Sequence, residues 1–400
     1  MELSQETQRF ISEHAEDDVR QLALQAKKFP NVDMKAAIVQ IAGRQAAADK
    51  IPSWYATEGI VYPRHLSLEQ CSSELTARYK ASLAKGNTFT DLTGGFGIDC
   101  AFLSAGFRQA TYVERQEELC EIASHNFPLL GLNHITVCHR DAVEYLRSMQ
   151  PVDCIFIDPA RRNEHGGKTV AIADCEPDVS ALEEKLLSKA TRVVIKLSPM
   201  LDLTLALKDM KHVAAVHVIS VNNECKELLL IVSDAENREQ PPVPILCVNL
   251  TSKETQRFVF TREEEQTAGC VYTDRIGKYL YEPNASILKA GAFRCLASRY
   301  GLQKLHPNSH LYTSDLPVES FPGRAFEVES TFPLNKKEIK EALGDVRKAN
   351  LTVRNFPTSV AELRKRLKLA EGGDKYLFAT TLNDGKKVVI RGRKAVFTTE

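Results

Sequence analysis

The sequence predicts an α/β protein: an alternating strand–helix core over residues 87–240, helices before it, and α+β segments after it. Three observations support this. The run Asn87–Asp99, NTFTDLTGGFGID, reads as a strand ending at Asp91, a turn spaced by Gly94, Gly95 and Gly97, and a helix opening at Ile98. Strand-like and helix-like periodicities then alternate through residue 221. Finally, only Asn222–Lys226 separates the last two strand candidates, too short for a crossover helix, so these strands should form an antiparallel hairpin.

Apolar spacings of three and four predict helices over Phe10–Ala26, Met34–Lys50 and Leu66–Leu83, defining a helical segment 1–86. In the core, strands are expected at Thr88–Leu92, Ala110–Glu114, Ile135–Cys138, Cys154–Asp158, Arg192–Leu197, Ala214–Val221 and Glu227–Val232. Helices are expected at Ile98–Ala105, Gln116–Leu130, Ala142–Met149, Val179–Lys189 and Leu203–Met210. The composition shifts after Pro241-Pro242. Strands are expected at Ile245–Thr261 and Phe326–Val328, with a helix at Ala285–Tyr300 between them. The block 331–400 reads helix, strand, helix and a hairpin about Asp384-Gly385.

The chain of 400 residues carries 52 Lys/Arg and 52 Asp/Glu, a formal net charge of +0. That balance argues against a protein that coats nucleic acid along its whole surface. Charge is concentrated instead in residues 331–400, where 16 Lys/Arg face 8 Asp/Glu, a surplus of +8. Ten cysteines without a CxxC pair read as reduced thiols, not a disulfide frame, and no metal site is expected. The acidic start has no apolar signal-peptide core and no run reaches membrane-span length, so a cytoplasmic protein without membrane contact is expected.

Strand Ala110–Val113 ends in Glu114, roughly 20 residues beyond the glycines, the spacing at which a carboxylate meets a ribose. Five alternating units closed by a hairpin resemble class I S-adenosylmethionine (SAM) methyltransferases. The resemblance rests on four landmarks in order: Asp91–Asp99, Glu114, Asp141, and Asp158-Pro159-Ala160-Arg161. It implies a Rossmann-like core of seven strands over residues 87–240. The later segments resemble bacterial methyltransferases with a ferredoxin-like domain, here 241–330, and a THUMP-like domain, here 331–400. The segment VRKANLTVRNFPTSVAELRKRLKL carries part of that likeness.

The resemblance implies SAM as cofactor and a set of residues that hold it. Thr93, Gly94, Gly95 and Gly97 bring the backbone close to the methionine moiety, and Glu114 accepts from the ribose hydroxyls. Asp91 and Asp99 are candidates for the ammonium, although Asp99 also suits a helix-start carboxylate. Asp141 and Ala142 are placed near the adenine, with an N-cap as the alternative for Asp141. Arg115 is either an adenine neighbour or a surface residue. Ser72, Ser73, Thr76 and Lys80 lie on a helix whose apolar face is read as Leu75, Tyr79 and Leu83; they either contact the ligand or are solvated.

Asp158, Pro159 and Arg161 end strand four, at the edge where open α/β sheets bind ligands. Amino-directed methyltransferases carry Asp/Asn-Pro-Pro-aromatic there; Ala160 and Arg161 depart from that pattern, and Arg161 with Arg162 could hold a phosphate instead. Lys196, Ser198 and Pro199 should face the same cleft. Covalent catalysis through a cysteine is disfavoured, because position 198 is serine, Cys154 has apolar neighbours and Cys175 reads as a loop residue. The expected function is SAM-dependent methyl transfer to a nitrogen or oxygen of RNA, tRNA or rRNA. A small-molecule methyltransferase and a non-catalytic SAM- or RNA-binding protein remain alternatives. Arg364, Lys365 and Arg366 lead the basic residues expected to meet phosphates.

Overall fold

The structure is a computed structural model that describes residues 3–161, 171–233, 242–344 and 346–397. Arg162 and Pro241 lie outside these residues, and Arg161 is described only in its backbone. The chain divides into two compact units, Met1–Ala215 with Glu227–Glu239, and Val216–Lys226 with Gln240–Glu400.

The first unit opens with helices α1 (Gln5–Glu13), α2 (Val19–Leu24), α3 (Met34–Lys50) and, after two short helical turns, α4 (Glu74–Ala81). Two of the expected long helices are split, in each case by a side-chain cap. The Asp18 carboxylate accepts from the N–H groups of Arg20 and Gln21 and starts α2 afresh. Ser73 does the same for α4 through the N–H of Thr76. A capping oxygen satisfies orphan donors more cheaply than a continued helix when the next residues must turn.

The central core comprises β1 (Thr88–Asp91), β2 (Gln109–Glu114), β3 (Ile135–His139), β4 (Val152–Ile157), β5 (Ala190–Leu197), β6 (Val213–Val221) and β7 (Glu224–Val232). Between them lie α5 (Ile98–Ser104), α6 (Glu117–Leu129), α7 (Ala142–Ser148), α8 (Val179–Leu187) and α9 (Leu203–Asp209). The strand order is β3-β2-β1-β4-β5-β7-β6, parallel up to β5, with β7 antiparallel to it. The hairpin turns through Asn222 and Asn223, both at positive φ (49° and 66°), as a tight two-residue turn requires. These seven strands follow the class I arrangement the sequence predicts, but the sheet itself has nine among the described residues, because two further strands from residues 245–260 continue it beyond the hairpin.

Register brings the chemistry to one edge. Asp91 pairs with Tyr112 of β2 and Phe156 of β4, so Glu114 and Asp158 both emerge two residues further along. Trp54, Tyr62 and Ala77 of the N-terminal segment share one buried cluster with Phe96, Tyr112 and Phe127. The N-terminal helices therefore close the core of this sheet.

In the second unit, β8 (Ile245–Leu250) runs parallel to β6 and β9 (Thr255–Phe260) antiparallel to β8. A second sheet contains β10 (Tyr279–Pro283), β11 (Gln303–Lys304), β12 (Tyr312–Ser314), β13 (Gly323–Phe332), β14 (Asn350–Arg354), β15 (Tyr376–Thr381) and β16 (Lys387–Lys394). Its order is β11-β12-β10-β13-β16-β15-β14. The short strand expected at Phe326–Val328 is the ten-residue β13, paired with β10 on one side and β16 on the other. The helix expected over Ala285–Tyr300 is two, α10 (Ala285–Ala290) and α11 (Arg294–Tyr300), because Gly291 takes a left-handed φ of 80° and ends the first. Helices α12 (Lys336–Leu343) and α13 (Val360–Leu367) complete the unit.

Candidate active site

The glycine turn is shaped first by the protein's own packing. A Cβ on Gly94 would lie 2.2 Å from the Tyr112 ring, and one on Gly97 would lie 3.0 Å from Phe127. Those two glycines let the turn sit on β2 and α6. Gly95 differs: its φ is 54°, and a Cβ there would meet only the Thr93 carbonyl, 3.9 Å away. Of the three, Gly95 leaves the open approach that a ligand needs. Its carbonyl accepts from Tyr112 Oη at 2.5 Å and its N–H donates to Glu114 Oε2 at 2.9 Å.

Glu114 also accepts from the Gln116 N–H at 2.9 Å and is 8 % exposed. Each of its oxygens keeps a lone pair for a further donor. Asp91 is wholly buried: Oδ1 accepts from the Thr93 N–H at 3.0 Å, while Oδ2 has no partner among the described residues. Burial pushes the Asp91 carboxyl well above the usual carboxylate range, and the carboxylates of Asp99, Asp158 and Glu114 push it the same way. Thr93 ties the two strand ends together, its Oγ1 accepting from the Asp158 N–H at 2.7 Å.

Beyond this edge runs a chain of alternating charges. Lys196 Nζ donates to Asp158 Oδ2 at 2.6 Å and lies 3.5 Å from Asp99. Asp99 takes a hydrogen bond from Ser72 at 2.7 Å and pairs with Lys80 at 3.1 Å. Lys80 donates to Ser72 at 2.9 Å and to both oxygens of Glu227 at 2.8 and 2.7 Å. Burial alone would raise Asp99, but Lys80 and Lys196 outweigh it and hold its carboxyl below the usual range. Burial likewise lowers Lys196, yet Asp158, Asp99 and Glu227 more than compensate, and its ammonium is raised.

This network corrects the reading of α4. The sequence suggested an apolar face of Leu75, Tyr79 and Leu83, with Ser72, Ser73, Thr76 and Lys80 either contacting the ligand or solvated. Instead Leu75 is 40 % exposed, and Glu74, Thr76 and Lys80 are buried. Tyr79 and Leu83 are half-buried, and Leu83 does pack against the core. The inward polar residues are tolerated because every inward charge is paired: Glu74 accepts from the Ser53 N–H at 2.8 Å and from Arg78. Sequence reasoning also missed Glu227. Its signal is a lone carboxylate opening the apolar run Leu228–Val232.

Other expected residues occupy plainer settings. Asp141 caps α7, accepting from Val143 N–H at 2.8 Å and Glu144 N–H at 3.1 Å, so Ala142 is the first helical residue. Arg115 pairs with Glu176 at 3.2 Å, both well exposed. Cys175 is not in a loop but in a two-residue strand opposite Arg161, following Pro159-Ala160, and is buried. Burial raises the thiols of Cys71 and Cys154, to about 11 and about 12. Among the described residues no group of three His, Cys, Asp or Glu is arranged to hold a metal, and no helix is long and apolar enough to cross a membrane.

In the second unit, Arg364 and Arg366 donate to the carbonyls of Ala349 (3.1 Å) and Leu334 (2.7 Å). Arg354, Arg391 and Arg393 pair with Glu282, Glu329 and Glu327. Much of the expected basic footprint is thus committed to the fold.

A sheet of this order with an acidic, glycine-turned edge defines a class I methyltransferase core. Family models match a ferredoxin-like domain at residues 279–322 and a THUMP-like domain at residues 323–394. A crystal structure from Porphyromonas gingivalis W83, classed as a methyltransferase, is 40 % identical, with 97 % of each chain covered and a TM-score of 0.86. An uncharacterized S-adenosylmethionine-dependent methyltransferase of Mycobacterium tuberculosis (strain H37Rv) is 23 % identical over 310 residues, 76 % of this chain and 80 % of the relative. The chain belongs to this family of SAM-dependent methyltransferases with ferredoxin-like and THUMP-like domains.

Proposed function

We propose that this enzyme transfers the methyl group of SAM directly to a nitrogen or oxygen of RNA, with no covalent enzyme intermediate. The carrying observation is the convergence of Asp91, Glu114 and Asp158 at one strand edge, with Thr93 joining Asp91 to Asp158. SAM supplies a sulfonium-activated methyl group and carries a second positive charge on its ammonium. Five carboxylates (Asp91, Asp99, Glu114, Asp158, Glu227) against two ammonium groups (Lys80, Lys196) give the cleft the complementary sign. The partnerless Asp91 Oδ2 and the open space beside Gly95 fit such a cation.

In this reading Gly95 admits the methionine moiety, Glu114 accepts from the ribose hydroxyls, and Asp91 faces the ammonium. Asp158, held by Lys196, accepts a hydrogen bond from the acceptor N–H or O–H, orients its lone pair toward the methyl carbon and takes up its proton. Asp99 belongs to the Lys80–Lys196 network rather than to the ligand. The raised thiols of Cys71 and Cys154 favour direct transfer, since a nucleophilic cysteine needs its thiolate. The matched THUMP-like domain and the basic surplus of residues 331–400 support RNA as the acceptor class.

Labelled SAM offered to total tRNA, ribosomal RNA and metabolite pools tests this directly. Label should enter RNA, and Asp158→Asn should reduce transfer at least ~100-fold, about 2.7 kcal/mol, while SAM affinity is retained. Label entering only the metabolite pool would sink the RNA assignment.

A further inference from the structure

A groove of about 600 Å³ lies wholly within the second unit, within the roughly 300–1,000 Å³ range of small-molecule sites. Its lining is unusual for having two buried amide side chains, Asn249 (5 % exposed) and Asn284 (1 % exposed). Asn249 is fixed on both sides. Its Oδ1 accepts from Ser220 Oγ and the Asn223 N–H, each at 2.9 Å, and its Nδ2 donates to Gln256 Oε1 at 3.2 Å. Asn284 Oδ1 accepts from Ser286 Oγ at 2.6 Å and the Ile287 N–H at 3.2 Å. Its Nδ2, however, is buried with no partner among the described residues. A buried amide donor left unpaired is costly, and a ligand oxygen or ring nitrogen would complete it.

The rim has the opposite character. Lys253, Arg324 and Lys394 line it against a single acid, Glu254. Behind it the buried Glu282 is shared by two guanidinium groups, Arg324 and Arg354, so the local surplus stays positive. Cations at the mouth and amides at the base select for a ligand with an anionic end and a flat, hydrogen-bonding end. An inorganic anion is too small to span the cations at the mouth and the amides at the base, and a neutral sugar brings no charge to match the cations. Gln256 in turn donates to Glu254 Oε1 at 3.0 Å, which holds it as a support for Asn249. We propose that this groove binds a nucleotide, its phosphate at Lys253 and Lys394 and its base edge on the amides of Asn249 and Asn284.

The nucleotide can be free or an unpaired residue within an RNA chain. The second source rests on the proposed RNA substrate, whereas the recognition itself does not. Calorimetry on the full chain with AMP, CMP, GMP, UMP, inorganic phosphate and single-stranded tetraribonucleotides separates these sources. At least one nucleotide or tetramer should bind about tenfold more tightly than phosphate. Two variants locate the site. Lys253→Glu with Lys394→Glu reverses the exposed rim, and Asn284→Asp keeps the capping oxygen while replacing the orphan donor. Each should weaken nucleotide binding about tenfold or more with SAM affinity retained, and the rim variant should also keep its unfolding midpoint. Tetramers binding where free nucleotides do not assigns RNA as the source. No binding, phosphate binding as tightly, or binding unchanged in the rim variant overturns the proposal. A protein that binds nucleotides here yet methylates only metabolites would keep this site and lose the RNA-methylation reading.

Discussion

The two units treat charge in opposite ways. In the catalytic unit it is buried and mostly negative, with five carboxylates near the strand edge and Lys80 and Lys196 threaded between them. In the C-terminal unit the surplus is positive and largely peripheral, and many of its guanidinium groups are already occupied by Glu282, Glu327 and Glu329. Buried charge of one sign selects a small cation by shape and field. Peripheral charge of the other sign attracts a polyanion without fixing its sequence. The same contrast appears in two buried lysines: Lys80 faces carboxylates, whereas Lys304 faces the Pro307 carbonyl and the Phe293 ring.

The largest expected effect comes from removing the cation at the centre of the acidic unit. Lys80→Met leaves Glu227 and Asp99 buried without it and should destabilise the protein by about 3–5 kcal/mol in denaturant unfolding. A double variant with Glu227→Leu should recover most of that loss, because two apolar side chains replace a buried pair without stranding a charge. An additive double variant would mean that the pair is not energetically coupled.

Next comes the ligand side of the same cleft. Glu114→Ala removes a buried charged acceptor and should weaken SAM binding by ~1–3 kcal/mol in calorimetry. Asp91→Asn should weaken SAM binding too, yet raise the unfolding midpoint of the ligand-free protein. A carboxyl raised in the folded state gives stability at pH below its unfolded value and loses it as pH climbs through the folded value. The advantage of the asparagine should therefore be absent near pH ~4 and grow above it. A midpoint that falls at neutral pH would show that the charge at Asp91 is compensated in the free enzyme.

Lys304 carries the contrast into the other unit. Burial lowers its ammonium to about 8, against weaker opposing pulls from Cys270 and Glu265. A folded value below the unfolded one costs stability in full below pH 8 and costs progressively less as pH rises toward the unfolded value of 10.5. Lys304→Met should raise the midpoint at pH ~7, and the gain should shrink by pH ~10. A gain independent of pH would reflect packing alone.

What the sequence made legible was whatever is local. The glycine turn, the acidic strand ends and the short hairpin all depend on neighbours within a few positions, and each stands where it was expected. The splits at Asp18, Ser73 and Gly291 were missed because apolar periodicity runs through a cap or a left-handed glycine without interruption. The buried polar residues of α4 were beyond local reach: Lys80 is paired by Glu227, 147 positions away. The same holds for Arg354, spent on Glu282 from 72 positions away. Counting basic residues therefore overstated the surface available to RNA. The packing demand on Gly94 and Gly97 was hidden for a related reason, since only the structure reveals Tyr112 and Phe127 against them.

The smallest effect sharpens the basic side of the comparison. Arg364, Lys365 and Arg366 are adjacent on α13, but the two arginines donate to backbone carbonyls at 3.1 and 2.7 Å, whereas the exposed Lys365 makes no such bond. If this helix meets RNA phosphates, Lys365 is the residue whose loss is purely electrostatic. Lys365→Ala should flatten the slope of log affinity against log salt by ~0.7–0.9, the contribution of one neutralised phosphate, and leave the unfolding midpoint unchanged. Arg364→Ala and Arg366→Ala should instead lower the midpoint, each by the loss of one charge-assisted hydrogen bond to backbone, ~1–2 kcal/mol. A salt slope that ignores Lys365 but follows the arginines would place the RNA contact on groups that also hold the fold together. A slope indifferent to all three would move the phosphate contacts off this helix.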